Sequence, residues 1–188
     1  MKNYILAFFC LMGSYAFGQS FHFPHPEGWG EEVIPFPIDF APGIPYRGQE
    51  HLRFSPGWGD PGSEEFWSYA FLWWVNPDAP VTQQSLEQHL KEYYSGLVGS
   101  NITSRSIDRK KVVPVVATFK EMSGYWEGTV SMLDYMDEKP IVLNVKVQQQ
   151  LCDKAKHKAI FISVSPQPRS HAIWTKMNSL WTGFRCSE

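Results

Sequence analysis

Two histidines near the start of the chain, and a Glu-His pair further on, are the side chains best suited to metal chemistry. His22 and His25 flank a Phe-Pro dipeptide, and Glu50 directly precedes His51. Imidazole and carboxylate ligands suit zinc, and a site that keeps a water as its remaining ligand can catalyse hydrolysis. One hypothesis is therefore a metal-assisted hydrolase with zinc as its cofactor. The opposing interpretation is that His22 and His25 are exposed, because the prolines around them favour extended chain.

The sequence gives less support to other catalytic sites, such as a serine triad or a carboxylate pair. No Gly-x-Ser-x-Gly motif is present, and nothing beyond abundance suggests a Ser, His and Asp triad. Adjacent carboxylates such as Glu31-Glu32 and Glu64-Glu65 are predicted to lie in loops or turns, where water solvates their charges. Clustered titratable groups mark enzyme clefts, so this pattern favours a binding protein over an enzyme.

Residues 65–75 read Glu-Phe-Trp-Ser-Tyr-Ala-Phe-Leu-Trp-Trp-Val and predict a central β-strand. Side chains alternate across a strand, so one face carries the bulky series Trp67, Tyr69, Phe71, Trp73 and Val75. Such rings must be buried, which requires a helix or a second sheet on that side. The opposite face contains small residues, and we expect it to lie under a loop or to floor a shallow groove.

A candidate binding site follows from this strand and a second strand predicted over residues 49–55. If Leu52 and Phe54 join the ring-bearing core, then His51 and Arg53 lie on the other face, over Ser68. We therefore take His51, Arg53 and Ser68 as candidate binding residues.

Trp58 is a further candidate, in the Gly/Pro-rich loop 56–62 that joins these two strands. The loop precedes no helix, so it lacks the helix N-terminus that a phosphate-binding loop needs. One interpretation is that Trp58 folds back onto the core. The other is that it forms an aromatic ligand or partner surface with Tyr46 and Trp29.

The remaining periodicities predict an α+β fold: an antiparallel sheet of about six strands with two packed helices. The predicted elements are an extended proline-rich arm (19–48), strands at 49–55 and 65–75, a helix from Thr82 or Ser85 to Gly99, strands at 112–121, 125–135, 140–151 and 159–165, and a final helix capped by Ser170. We expect a Ser85/Gln88 capping box in the first helix. Its apolar residues recur at helical spacing and form one stripe that packs on the sheet: Leu86, Leu90, Tyr93, Tyr94, Leu97 and Val98. Short connections between the last four strands favour antiparallel pairing.

The N-terminus has the features of a secretory signal peptide, residues 1–18. Lys2 precedes a short apolar run, and small Ala16 and Gly18 precede the expected cleavage point. Export would place Cys152 and Cys186 in an oxidising compartment, where they can form one disulfide; the alternative is two separate thiols. The formal net charge of −2 gives no nucleic-acid footprint.

Three short motifs and the order of elements resemble the PsbP-like family. The motifs are Pro26-Glu-Gly-Trp29, Gly124-Tyr-Trp-Glu127 and the tryptophans Trp174 and Trp181 of the final helix. Residues 50–74 also resemble uncharacterised exported bacterial proteins. The PsbP-like resemblance implies a secreted or lumenal α+β sandwich that acts as a non-enzymatic binding or assembly-helper domain. No ligand position carries over from it.

We therefore expect an exported single domain, residues 19–188, that binds a protein partner or a small ligand and needs no cofactor. The metal-assisted hydrolase is one alternative, and a structural component of the cell envelope is another. We expect no nucleic-acid partner and no transmembrane segment.

Overall fold

A computed structural model describes residues 21–187 of the chain. Its elements are β1 (Phe21–His22), β2 (Gly30–Pro35), β3 (Gly48–Phe54), β4 (Tyr69–Val75), α1 (Gln83–Arg105), a 3₁₀ turn (Arg109–Lys111), β5 (Val116–Glu121), β6 (Trp126–Asp134), β7 (Lys139–Cys152), β8 (His157–Ser165), α2 (Ala172–Gly183) and β9 (Arg185–Cys186). The predicted signal peptide lies outside the described residues.

Seven strands form one antiparallel sheet in the order β2-β3-β4-β8-β7-β6-β5, and β1 pairs with β9 in a small second sheet. Hairpins join β2 to β3, β3 to β4, and β5 through β8 in succession. Helix α1 carries the chain from β4 to the far edge of the sheet, where β5 lies. The chain then returns strand by strand through β6 and β7, and β8 pairs with β4. The predicted α+β class, the antiparallel sheet and the two helices are confirmed.

The ring-bearing face of β4 packs against α1, as the alternation predicts. Tyr69, Phe71 and Trp73 are buried in one core with residues of α1, and Phe71 stacks on Tyr93 with ring centroids 5.5 Å apart. Trp67 belongs to the same core although it precedes the strand. It lies in a turn with a positive φ of 52°, so the strand begins later than predicted.

The opposite face of β4 is also a core, and the predicted shallow groove is absent there. Ala70, Leu72 and Trp74 are buried beneath α2 and the N-terminal residues of the described chain. Phe21 lies against Trp74 with ring centroids 4.5 Å apart. Successive strand residues point to opposite faces, so α1 and α2 cover opposite sides of the sheet and the domain has three layers.

The proline-rich arm contains more sheet than predicted. Residues 30–35 form the edge strand β2, paired with β3 from Gly30↔Phe54 to Pro35↔Gln49. Proline is tolerated at an edge because one side of the strand needs no partner. The arm also supplies β1, whose partner β9 follows α2; β1, β2 and β9 are the three strands beyond the six expected.

Helix α1 starts where predicted but ends later. Thr82 is its N-cap, and the capping box pairs Thr82 with Ser85 rather than Ser85 with Gln88. The helix continues through Gly99 to Arg105 and ends at Ser106 in the left-handed conformation. Gly99 costs helix stability but does not stop the helix, because the apolar stripe continues to Ile102 on the same face.

The predicted disulfide joins Cys152 at the end of β7 to Cys186 in β9, with their Cα atoms 5.6 Å apart. Cys186 also lies opposite Phe21 in the small sheet, so this bond anchors the strand that pairs with β1. Within residues 21–187, no helix has the length and apolarity to cross a membrane.

Two glycines of α1 offer a matched test of how tightly this helix packs. A Cβ at Gly96 would clash with the backbone oxygen of Phe40, whereas a Cβ at Gly99 meets nothing within 4 Å. We expect Gly99→Ala to raise the free energy of unfolding by about 0.5–1 kcal/mol through helix propensity. Gly96→Ala should lower it by about 1–3 kcal/mol, because the helix or Phe40 must move. Urea unfolding checks both; equal responses of the two variants would contradict this packing.

Candidate ligand-binding pocket

The four predicted metal ligands do not meet in the structure. Glu50 and His51 are successive residues of β3 and point to opposite faces of the sheet. His25 donates to the carbonyl of Trp29 over 2.6 Å and lies 3.5 Å from Glu31, while His22 is exposed on β1. Among residues 21–187, no three His, Cys, Asp or Glu side chains converge as metal ligands.

The predicted binding residues His51 and Arg53 lie beneath the N-terminal arm. Arg53 donates to the carbonyls of Pro24 and Phe23 over 3.0 and 3.4 Å, and its guanidinium lies over the Phe23 ring. It also donates to the carbonyl of Leu52 over 2.8 Å and forms an ion pair with Glu31 over 3.3 Å. His51 meets the edge of Phe21. These contacts fasten the arm to the sheet and leave neither side chain on an open surface.

Ser68 is buried as well, and its hydroxyl is shared with another serine. The Ser68 and Ser165 hydroxyl oxygens lie 2.7 Å apart, and Ser68 also donates to the carbonyl of Phe66. The three predicted side chains therefore hold strands and arm together.

Trp58, by contrast, borders a cavity. It is half-buried and lies against Phe54 with ring centroids 4.5 Å apart, which matches the interpretation that it folds back onto the core. Tyr46 and Trp29 are buried elsewhere and do not extend an aromatic surface with it.

The cavity lies between the β2–β4 edge of the sheet and α1, and its volume is about 150 Å³. We call it the aromatic pocket. It is lined by Glu32, Ile34, Phe40, Leu52, Phe54, Trp58, Trp67, Tyr69, Tyr93, Leu97 and Tyr135. Engineered apolar cavities of similar size bind benzene, so this volume holds one ring or one compact branched group.

Strand register places the one acidic side chain of this wall. Glu32 of β2 lies opposite Leu52 of β3, so the two side chains share a face. Leu52 is buried in the core, whereas Glu32 is exposed because β2 is the sheet edge. The carboxylate therefore borders the opening of an otherwise apolar and aromatic wall.

A buried carboxyl group lies on the same face, deeper than the pocket. Glu50 is fully buried and accepts a hydrogen bond from the Trp73 indole over 3.1 Å, while its second oxygen has no hydrogen-bond partner. Burial raises the pKa of Glu50 to about 8, against the smaller opposing effects of Trp73 and Tyr93. Glu50 is therefore mostly protonated and uncharged at neutral pH.

The tyrosines around the pocket are uncharged too. Burial raises the pKa of Tyr69 and Tyr93 well above the ordinary value, and that of Tyr135 to about 12. The hydroxyl oxygens of Tyr69 and Tyr94 lie 2.6 Å apart. These phenols supply apolar surface and neutral dipoles, so Glu32 is the side chain that brings formal charge to the wall.

Sequence reasoning found Trp58 but missed the rest of the pocket. Glu32 was assigned to a loop with Glu31, whereas both lie in β2, with Glu31 paired to Arg53 on the opposite face. Glu32 and Ile34 are two residues apart, so they share one face of a strand, and this spacing was the available signal for β2. The surrounding prolines obscured it, because they favour extended chain outside a sheet. Leu97 and Tyr93 were correctly placed on the inward stripe of α1, but periodicity does not show where packing leaves a void.

Comparison with protein-family models, with curated proteins and with solved structures finds no match to this chain. The resemblance to PsbP-like proteins therefore stays a prediction.

The buried carboxyl of Glu50 predicts a specific pH dependence of stability. The unfolded group ionises near pH 4.5 and the folded group near pH 8, so folding favours the protonated form in between. The free energy of unfolding should then fall as pH rises through this range, by about 1 kcal/mol per pH unit. Glu50→Gln removes the titration, so wild type should lose about 1–2 kcal/mol relative to it between pH 6.5 and 8. Parallel urea-unfolding profiles for the two proteins would contradict the assignment; Glu27→Gln, at an exposed carboxyl, is the control.

His51 should make the free energy of unfolding fall as pH decreases, whereas Glu50 makes it fall as pH increases. Burial, and then the charge of Arg53, lower the pKa of His51 to about 4, against a small opposing effect of Glu31. The unfolded imidazole gains a proton below about pH 6.5, so the stabilisation present above that value is lost as pH falls towards 4. We expect wild type to lose about 1 kcal/mol per pH unit relative to His51→Leu in this range. NMR titration of His51 in the folded protein checks the cause directly: a midpoint near 6.5 would contradict it.

Proposed function

We propose that this chain is an exported binding domain that holds a small ligand in the aromatic pocket and does not transform it. The observation that carries the proposal is the pocket itself, an apolar cavity of about 150 Å³ that opens beside one carboxylate. Ligand sites are typically concave and mostly apolar, with a few polar groups that set orientation. The Cys152–Cys186 disulfide supports export, because such bonds persist in oxidising compartments.

The arrangement of titratable groups supports binding rather than catalysis. Glu50 is the group most suited to proton transfer, yet it is fully buried and does not line the pocket. A general acid or base must lie within hydrogen-bond reach of the substrate. The phenols of Tyr69 and Tyr93 hold their protons far above neutral pH, which makes them poor bases.

Leu97→Trp tests the proposal by filling the pocket. Phenol, a ring-sized probe, should produce saturable NMR shifts at the Trp58 indole of wild type, and Leu97→Trp should weaken this binding by about tenfold or more. Leu151→Trp is the matched control, because Leu151 is half-exposed on β7 outside the pocket. Leu97→Phe is a milder filling variant should the indole perturb folding. Unsaturable shifts, or equal binding by all variants, would refute a ligand site here.

A further inference from the structure

The wall of the aromatic pocket has an unusual composition for a cavity next to a charged residue. Seven of its residues are aromatic, three are aliphatic, one is Glu32, and no Lys, Arg or His is among them. Aromatic faces carry partial negative charge and attract cations. The carboxylate adds a full negative charge at the opening. This composition favours a positive ligand over a negative one.

The rings of the wall meet at several different angles: Phe54 lies at 31° to both Trp58 and Tyr69, whereas two other pairs meet steeply. Trp67 meets Tyr135 at 73° with centroids 5.1 Å apart, and Phe40 meets Tyr93 at 75° over the same distance. A flat aromatic ligand is held best between parallel walls. Walls that meet at steep angles instead enclose a rounded group, such as a tetrahedral ammonium head, with ring surface on several sides.

Glu32 has no ion-pair partner among residues 21–187, although its neighbour Glu31 pairs with Arg53. Arg105 contacts this wall, with its guanidinium 5.3 Å from the centroid of the Tyr135 ring. Arg105 does not line the pocket and makes no ion pair with Glu32 in this structure. One wall ring thus already attracts a cation, while the carboxylate of Glu32 is paired with no cation among the described residues.

We propose that the aromatic pocket binds the quaternary ammonium head of a small organic cation, with Glu32 as its counterion. This inference rests on the proposed function and names its ligand class. A quaternary ammonium has no N–H groups, so an aromatic wall costs it no hydrogen bonds when it leaves water. A primary ammonium or a guanidinium would lose hydration that this wall does not replace. The pocket should therefore prefer quaternary over primary amines.

Choline and 3,3-dimethylbutan-1-ol form a matched pair of probes, because they differ chiefly in a charged nitrogen replaced by carbon. By isothermal titration calorimetry at low salt, choline should bind about tenfold or more tightly than the neutral compound. Ethanolamine, the primary amine, should also bind more weakly than choline. Raising the salt concentration should weaken choline binding but not binding of the neutral isostere.

Variants at two positions of the pocket test which side chains bind choline. Glu32→Gln should weaken choline binding by about three- to tenfold and remove most of its salt dependence. Trp58→Leu should weaken it by about tenfold, with partial recovery in Trp58→Phe. Glu27→Gln makes the same charge change at an exposed carboxyl outside the pocket and should leave binding unchanged. Circular dichroism and melting midpoints confirm that each variant is folded.

The outcomes separate this inference from the function on which it rests. Equal affinity for choline and its neutral isostere would overturn the cation assignment and leave a pocket for neutral ligands. Choline binding that is unaffected by Glu32→Gln would overturn the proposal that Glu32 is the counterion. Phenol binding without choline binding would also overturn the cation assignment and leave a pocket for neutral ligands. Failure of phenol, choline and the isostere alike would overturn both.

Discussion

Burial of β4 on both faces is the constraint on which the rest of the structure depends. All seven residues of Tyr69–Val75 are buried, and the strand pairs with β3 on one side and β8 on the other. A strand of this kind needs a cover on each face, and the two helices provide them. The long crossover through α1 serves this purpose. It covers the ring-bearing face and leads to the far edge, from which three hairpins return β8 to its place beside β4.

Two positions of β3, Glu50 and Arg53, show two ways of burying a polar side chain. Arg53 keeps its charge, because three backbone carbonyls and the carboxylate of Glu31 replace its hydration. Glu50, on the other face, receives one hydrogen bond from Trp73 and so gives up its charge by retaining a proton. The first solution fastens the arm over the sheet. The second leaves a neutral acid among the rings of the core.

The aromatic pocket follows from the same concentration of rings. Aromatic side chains are large and rigid, and they prefer steep or offset contacts over flat stacking, so they do not fill every gap at the end of a sheet. The gap here falls beside the edge strand β2, where Glu32 is exposed and Ile34, on the same face of the strand, is half-buried. Aromatic surface and a carboxylate meet at this point only because β2 runs along β3 in this register.

The sequence by itself determined the periodic features. The alternation of 65–75 predicted the ring-bearing face of β4, and the spacing of Leu86 and Leu90 predicted the inward stripe of α1. These follow from local geometry, because side-chain direction repeats every two residues in a strand and every 3.6 in a helix. Tertiary structure alone decided which side chains remain open. His51 and Arg53 are covered because the arm crosses them, and Glu32 borders a cavity because residues 40, 58, 97 and 135 converge around it. Such convergence depends on packing between elements far apart in the chain, which no local repeat encodes.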